Sequence, residues 1–282
     1  MDGIYSGDYM NIIDFLKKET SGQVPNADRG YNGMSTIGDS CGRKLQYNMY
    51  LASGEGSIDR RISRLFNVGH AFEDTIIDIL NDLDIQVYGR QDSYCDQHEM
   101  WFGHSDGFLT HKGKSYLLEM KTHNDKSFKA LQKSGVKTSK STHYDQMQMY
   151  MGYGEYEQGI YIAYNKNDSD LYFELVKFDE KRFNNLKIKS ETIIASDVLL
   201  PRIGNNTESW FECKFCDHIK VCFGRAAPSQ NCRTCHWVEP SNGNKWVCTC
   251  GRTEIGDVPL DLADQKNGCD NHMYSRMFND IT

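Results

Sequence analysis

Apolar and polar positions keep a regular period through the long middle of the chain and lose it near the end. Phe72, Ile76, Ile79, Leu80 and Leu83 recur at helical spacing, which predicts an amphipathic helix over about 67–82. Strand-like segments follow at 85–89, 101–110 and 115–121, the last two joined as a hairpin through His111-Lys112-Gly113-Lys114. A helix over about 143–153, strands over 158–164 and 171–178, and a helix from about 179 to 199 complete the run. The order is helix, three strands, helix, two strands, helix, an α/β pattern with central strands flanked by helices. No proline lies between Asn26 and Leu200, so this stretch reads as one domain. From about Pro201 the periodicity gives way to Cys, Asn, Gly and Trp.

Composition narrows the class. With 282 residues, 39% hydrophobic and 12% aromatic, the chain can bury a sizeable core, which excludes a disordered or low-complexity protein. The net charge of −7 excludes a polycation, so contact with nucleic acid must come from a local patch. The N-terminus has no basic segment leading into an apolar one, and no apolar run approaches the roughly 18 residues of a membrane span. The expectation is a soluble, cytoplasmic protein with no membrane partner. Eight of the 10 cysteines lie between Cys213 and Cys269; in a reducing compartment such crowding points to metal rather than disulfides.

Chemistry concentrates on the hairpin. GHSDGF places Asp106 near the end of one strand, and LLEMK places Glu119 and Lys121 two apart on the next, hence on one face. An otherwise apolar strand has no packing reason to carry a carboxylate and an ammonium together. Two acids and a lysine on adjacent strands can bind a divalent metal through oxygen while the ammonium orients water or steadies negative charge, the chemistry of phosphodiester hydrolysis. The plain alternative is a Glu/Lys pair on a solvated face. Context favours the site: Glu73 stands in GHAFED on the preceding helix, and HYDQMQMYM carries Gln146 and Tyr150 four apart on one helical face.

Taken together, Gly69 and Glu73 (G-x-x-x-E), Gly103, Asp106 and Gly107 (G-x-x-D-G), Glu119 and Lys121 (E-x-K), and Gln146 and Tyr150 (Q-x-x-x-Y) resemble the PD-(D/E)xK nuclease superfamily. The branch they are similar to is the RecB-type exonucleases with a cysteine-bound iron–sulfur cluster, especially phage-encoded and CRISPR-adaptation members. The resemblance spans Cys41 to Cys222 and implies a restriction-endonuclease-like αβββαβ core with a helical N-terminal segment and a Cys-rich C-terminal metal-binding tail. It implies a metal-dependent DNA exonuclease in which Glu73, Asp106 and Glu119 ligate Mg²⁺ or Mn²⁺ with the Met120 carbonyl. Lys121 then orients the attacking water, and Gln146 and Tyr150 position the phosphate and Lys121. Many relatives carry His where this chain has Glu73; His70, three residues earlier, is a ligand, a substrate contact or a packing residue.

Cys213, Cys216 and Cys222 form C-x2-C-x5-C, one ligand short of four. Cys41, in SCGRKLQY, resembles the N-terminal cysteine that completes a 4Fe-4S cluster in those nucleases; zinc in the same place is the alternative, because spacing does not separate the two metals. A second set begins at Cys232 and Cys235 and continues with Cys248 and Cys269, Cys250 and His272 being substitutes. It reads as a zinc ribbon that depends on Zn²⁺ to fold. The expected domains are therefore residues 1–227, a nuclease closed by four cysteines, and 228–282, the ribbon. Cys95, isolated, reads as a small buried hydrophobe.

Between Lys126 and Lys140 the chain carries Lys126, Lys129, Lys133, Lys137 and Lys140 and no acid, which suggests a phosphate track along one helical face; a solvated lysine face is the alternative. Phe128, Tyr144 and Tyr47 are available to stack bases. The reading is an exonuclease acting on single-stranded or duplex DNA ends, in phage replication, recombination or host-DNA degradation, with a recombination or replication protein as a further partner. An endonuclease of the same fold and a metal-stapled nucleic-acid-binding module remain the alternatives.

Overall fold

The computed structural model describes residues 11–25, 30–54, 57–241, 243, 245–250 and 258–281. Residues 1–10, read above for a secretion signal, and 251–257, within the ribbon, lie outside the described residues.

Helix α1 (Ile12–Glu19), β1 (Gln23–Pro25), β2 (Asn32–Gly33) and α2 (Gly42–Met49) open the chain. Strand β3 (Ser57–Asp59) pairs with β1 and runs directly into α3 (Arg60–Asp82), the predicted amphipathic helix. It starts earlier than the apolar stripe indicates because Asp59 caps it, accepting a hydrogen bond from Arg61 N at 2.6 Å. Five strands follow: β4 (Val87–Tyr88), β5 (Ser93–Cys95), β6 (Trp101–His104), β7 (Gly107–His111) and β8 (Lys114–His123). The single strand expected over 101–110 is thus two. Gly107, at φ +132°, turns the chain after Asp106, so that β6 joins β2 and β5 while β7 joins the central sheet.

After β8 come α4 (Asp125–Ser139), α5 (Ser141–Tyr153), β9 (Gln158–Asn165), β10 (Leu171–Lys177) and α6 (Glu180–Ala195). The central sheet has the order β10-β9-β8-β7-β4. Its one parallel pair, β8 with β9, is bridged by α4 and α5, as a parallel connection requires. Strand period two then assigns the faces. Leu118, Met120 and Ile162 pack on Ile76, Ile77 and Leu80 of α3, whereas Leu117, Tyr161 and Ala163 face the opposite side with Met147 and Met151 of α5. Glu119 and Lys121 share the α5 side by the same rule.

The tail holds the short helices α7 (Phe211–Lys214) and α8 (Ile219–Cys222), then β11 (Val238–Ser241), β12 (Lys245–Cys248) and β13 (Val258–Leu260) as an antiparallel sheet, and α9 (Leu262–Asn267). No gap in packing marks residue 227. Trp246 and Phe278 are fully buried, each edge-on to Tyr50 at 5.5 and 5.8 Å between ring centres. Arg233 donates to the Met49 and Gly30 carbonyls and to Gln265 Oε1, with its guanidinium over the Trp246 ring. Among the described residues, no helix is long and apolar enough to cross a membrane.

Candidate active site

Glu119 is fully buried on the inner face of β8. Lys121 Nζ forms an ion pair with Glu119 Oε1, stands 3.8 Å from Asp106 Oδ2 and donates to the Met120 carbonyl at 3.2 Å. Apart from that ion pair, neither oxygen of Glu119 has a hydrogen-bond partner. Asp106, just before β7, is held by the Met120 amide of β8, which donates to its Oδ2 at 2.5 Å. Glu73 approaches from α3, and His70 Nδ1 lies 3.5 Å from its Oε2. Burial first, then the charge of Asp106, pushes the Glu73 carboxyl up. Glu119 is raised by burial, with Lys121 opposing and Asp106 adding to the shift. Burial alone would lower Lys121, but Glu119 and Asp106 hold it above the ordinary lysine range.

Glycine supplies the room. A Cβ on Gly103 would fall 2.2 Å from Tyr150 Cε1, so G-x-x-D-G serves both to admit the Tyr150 ring and, through Gly107, to aim Asp106. Gln146 Nε2 donates to Tyr150 Oη at 3.1 Å, and both side chains are buried, Tyr150 within reach of the Glu119, Lys121 and Asp106 charges. Glu119 and then the Gln146 hydrogen bond act on the Tyr150 phenol after burial, which raises it most.

The donor set suits a hard divalent cation. Three carboxylates gathered in a poorly solvated place repel one another, and Glu119 has oxygens without hydrogen bonds; oxygen-rich, negatively charged sites of this kind bind Mg²⁺ or Mn²⁺. Among the described residues, no three His, Cys, Asp or Glu side chains are drawn in to the spacing at which an ion is held; the ammonium of Lys121 provides the positive charge between Glu119 and Asp106.

Among the described residues, the thiols within each cysteine set act on one another's charge without closing to the spacing at which an ion is held. Burial raises the Cys213 thiol, with Cys41 and Cys222 next, and Cys216 is raised by burial and by the same two neighbours against the pull of Lys44. Ser40 Oγ donates to Glu212 at 2.8 Å, which ties the Cys41 segment to α7. In the tail, Cys232, Cys235, Cys248, Cys250, Cys269 and His272 line one cavity with Trp237 and Val238. Cys232 is pushed up to about 11 by burial and then by Cys269, Cys235 and Cys248. His272 Nε2 instead meets Thr234 Oγ1 at 3.1 Å.

The lysine track does not form as expected. Gly135, at φ 70° and ψ 170°, breaks α4, so the five lysines do not share a face. Lys129 pairs with Asp125 at 2.8 Å, Lys137 with Asp179 at 3.1 Å, and Lys140 turns inward to Ser127. Lys126 and Lys133 stay exposed. Phe128, Tyr144 and Tyr47 are buried in the core and present no face for bases.

Sequence reasoning missed His123, Tyr161 and His143. The signal was present, because His123 continues the period of Glu119 and Lys121 along β8, and His143 precedes Gln146 by three on α5. Tyr161 Oη lies 2.9 Å from His123 Nε2 and 2.8 Å from His143 Nδ1. Burial, then neighbouring lysines, lowers His123 to about 4 and His143 to about 3. His218, set between Ser53 and Asn48 at 2.7 Å each, is lowered by burial to about 4.

These imidazoles predict the acid limit of the fold. Each is neutral when folded and binds a proton near pH 6.5 when unfolded, so stability is present above that value and is lost as pH falls towards 4. The raised carboxyls of Glu119 and Glu73 act in the opposite sense, adding stability as pH falls through their elevated folded values. Thermal melts should therefore show a maximum near pH 7 and a fall between about pH 6.5 and 4. A flat melting temperature across that interval would contradict the neutral assignment.

No family model matches the chain, and no curated protein matches it. Among solved structures it is similar to an alkaline exonuclease, LHK-Exo, from Laribacter hongkongensis, with 14% identity, TM-score 0.44, and coverage of 59% of this chain and 87% of that one. It is similar also to SSO0001, with 16% identity, TM-score 0.45, and coverage of 72% and 90%. A phage related exonuclease from Haemophilus somnus 129PT shares 12% identity over 44% of this chain and 66% of its own, with TM-score 0.35.

Proposed function

We propose that the chain is a divalent-metal-dependent deoxyribonuclease that hydrolyses phosphodiester bonds from DNA ends. The observation that supports this reading is the convergence of Glu73, Asp106 and Glu119 on Lys121, with the hydrogen-bonded pair Gln146 and Tyr150 alongside. Glu73, Asp106, Glu119 and the Met120 carbonyl are the residues that would hold Mg²⁺ or Mn²⁺. Such a cation would supply Lewis acidity for the phosphoryl group and the attacking water. Lys121 orients the attacking water and offsets negative charge as it develops. Gln146 and Tyr150 place the scissile phosphate against Lys121.

Cys41, Cys213, Cys216 and Cys222 are proposed as the ligands of a 4Fe-4S cluster that closes residues 1–227, and Cys232, Cys235, Cys248 and Cys269 as a zinc site in residues 228–282. The partner is DNA, and the setting suggested by the sequence resemblance is phage replication, recombination or host-DNA degradation.

The test uses protein purified without oxygen and given end-labelled linear and closed circular DNA with Mg²⁺ or Mn²⁺. Linear DNA should be degraded while circles survive. Cut circles would make the enzyme an endonuclease, and two intact substrates would remove the nuclease reading. The same preparation should be brown and carry about four iron atoms per chain; a colourless protein holding zinc at both cysteine sets would place zinc at the first.

A further inference from the structure

A chain of hydrogen bonds runs beside the carboxylates and takes no part in the hydrolysis described above. Lys140 Nζ donates to Ser127 Oγ at 2.5 Å, and Ser127 Oγ lies 3.1 Å from His123 Nδ1. His123 Nε2 lies 2.9 Å from Tyr161 Oη, which lies 2.8 Å from His143 Nδ1. An ammonium only donates, so Ser127 Oγ accepts from Lys140, and the hydroxyl proton has His123 Nδ1 as an acceptor at 3.1 Å. When Ser127 donates there, His123 carries its proton on Nε2 and donates to Tyr161. In that run Tyr161 donates to His143 Nδ1 and the His143 proton sits on Nε2; the opposite run, with Nδ1–H on both imidazoles, uses the same distances.

The place of that last donor matters. His143, Gln146 and Tyr150 follow one another at three and four residues on α5, so they share the face turned to β8. Lys121 is near enough for its charge to act on the His143 imidazole, after burial, which acts most. His143 is also partly open to solvent, unlike Tyr161.

We propose that this chain runs from Lys140 to His143 and so holds His143 as an Nε2–H donor beside Lys121, where it binds a non-bridging oxygen of the scissile phosphodiester. The inference rests on the nuclease reading. A neutral donor suits the position, because an imidazolium charge there would repel both Lys121 and the divalent cation. The chain keeps the donor aimed without that charge, and the tautomer is set by the partner on the other ring nitrogen.

Amide replacements separate a donor from a packing role. The amide of His143→Gln reaches about as far as Nε2, whereas that of His143→Asn stops near Nδ1. On linear end-labelled DNA, His143→Asn should lose about 10- to 100-fold in kcat/KM, in the range of a lost transition-state donor, while His143→Gln stays within about threefold of wild type. Circular dichroism establishes that each variant folds. Nitrogen-15 spectra of the wild type should show His143 protonated on Nε2, and this holds whether or not a variant folds. Wild-type activity in His143→Asn, equal losses in both variants, or an Nδ1–H tautomer would each overturn the inference while leaving the nuclease reading standing. A wild-type protein that cleaves no DNA would overturn both.

Discussion

Glu119→Gln should abolish cleavage and leave the fold nearly as stable as before, whereas Lys121→Ala should abolish cleavage and destabilise the protein. Both changes remove at least several kcal/mol of transition-state stabilisation, about 1,000-fold in rate or more, because one deletes an anionic metal ligand and the other the charge that orients water. Stability separates them through solvation. The Lys121 side chain is 27% exposed and keeps Asp106 at 3.8 Å when Glu119 is neutral, so its charge is not stranded. Glu119 is 0% exposed, and without Lys121 it is a buried carboxylate beside Asp106 and Glu73. Breaking a buried pair in that way costs about 3–5 kcal/mol. Protonation relieves the cost, so the loss in Lys121→Ala should shrink as pH is lowered towards about 8, the value to which burial raises Glu119 in the wild type, read by thermal melts at about pH 10 and 8. Full activity in either variant would remove that residue from the site.

The carboxylates were legible because strand period two acts on a single segment. Glu119 and Lys121 must share a face of β8 whatever surrounds them, and Gln146 and Tyr150 must share a face of α5. Groups that meet only through the β8–β9 pairing were not legible. Tyr161 stands opposite Glu119 in that ladder, 42 positions later in the sequence, and nothing local joins it to His123. The division of 101–110 into β6 and β7 was hidden for a related reason: its apolar alternation fits one strand, and the turn falls at Gly107, where the Val87 side chain and the Tyr88 carbonyl across the sheet leave no room for a Cβ. The lysine spacing from 126 to 140 misled because helical alignment presumes an unbroken helix, which Gly135 ends. Cysteine spacing groups Cys213, Cys216 and Cys222 but says nothing of what lies near them in space, which depends on the Cys41 segment meeting α7 through Ser40 and Glu212.

Removing residues 228–282 should unfold more than a ribbon. The Met49 and Gly30 carbonyls would lose the Arg233 donors, the Ala52 carbonyl would lose the Ser229 amide at 2.7 Å, and the Leu51 carbonyl would lose Asn231 at 3.0 Å. Tyr50 would lose both Trp246 and Phe278. Deleting one buried aromatic of this size costs about 3–5 kcal/mol, against a total domain stability of about 5–15 kcal/mol. Two such losses together with stranded carbonyls exceed what α2 and its neighbours can absorb. A chain ending at Ala227 should therefore lose its cooperative thermal transition, and Trp246→Ala in the full chain should lower the melting temperature by itself. If zinc organises Cys232, Cys235, Cys248 and Cys269, a strong chelator should reproduce the effect of truncation, since the metal's binding free energy is part of the folding free energy. A truncated protein that melts cooperatively at the full-length temperature would show instead that residues 1–227 hold their core without Trp246, Phe278 and Arg233.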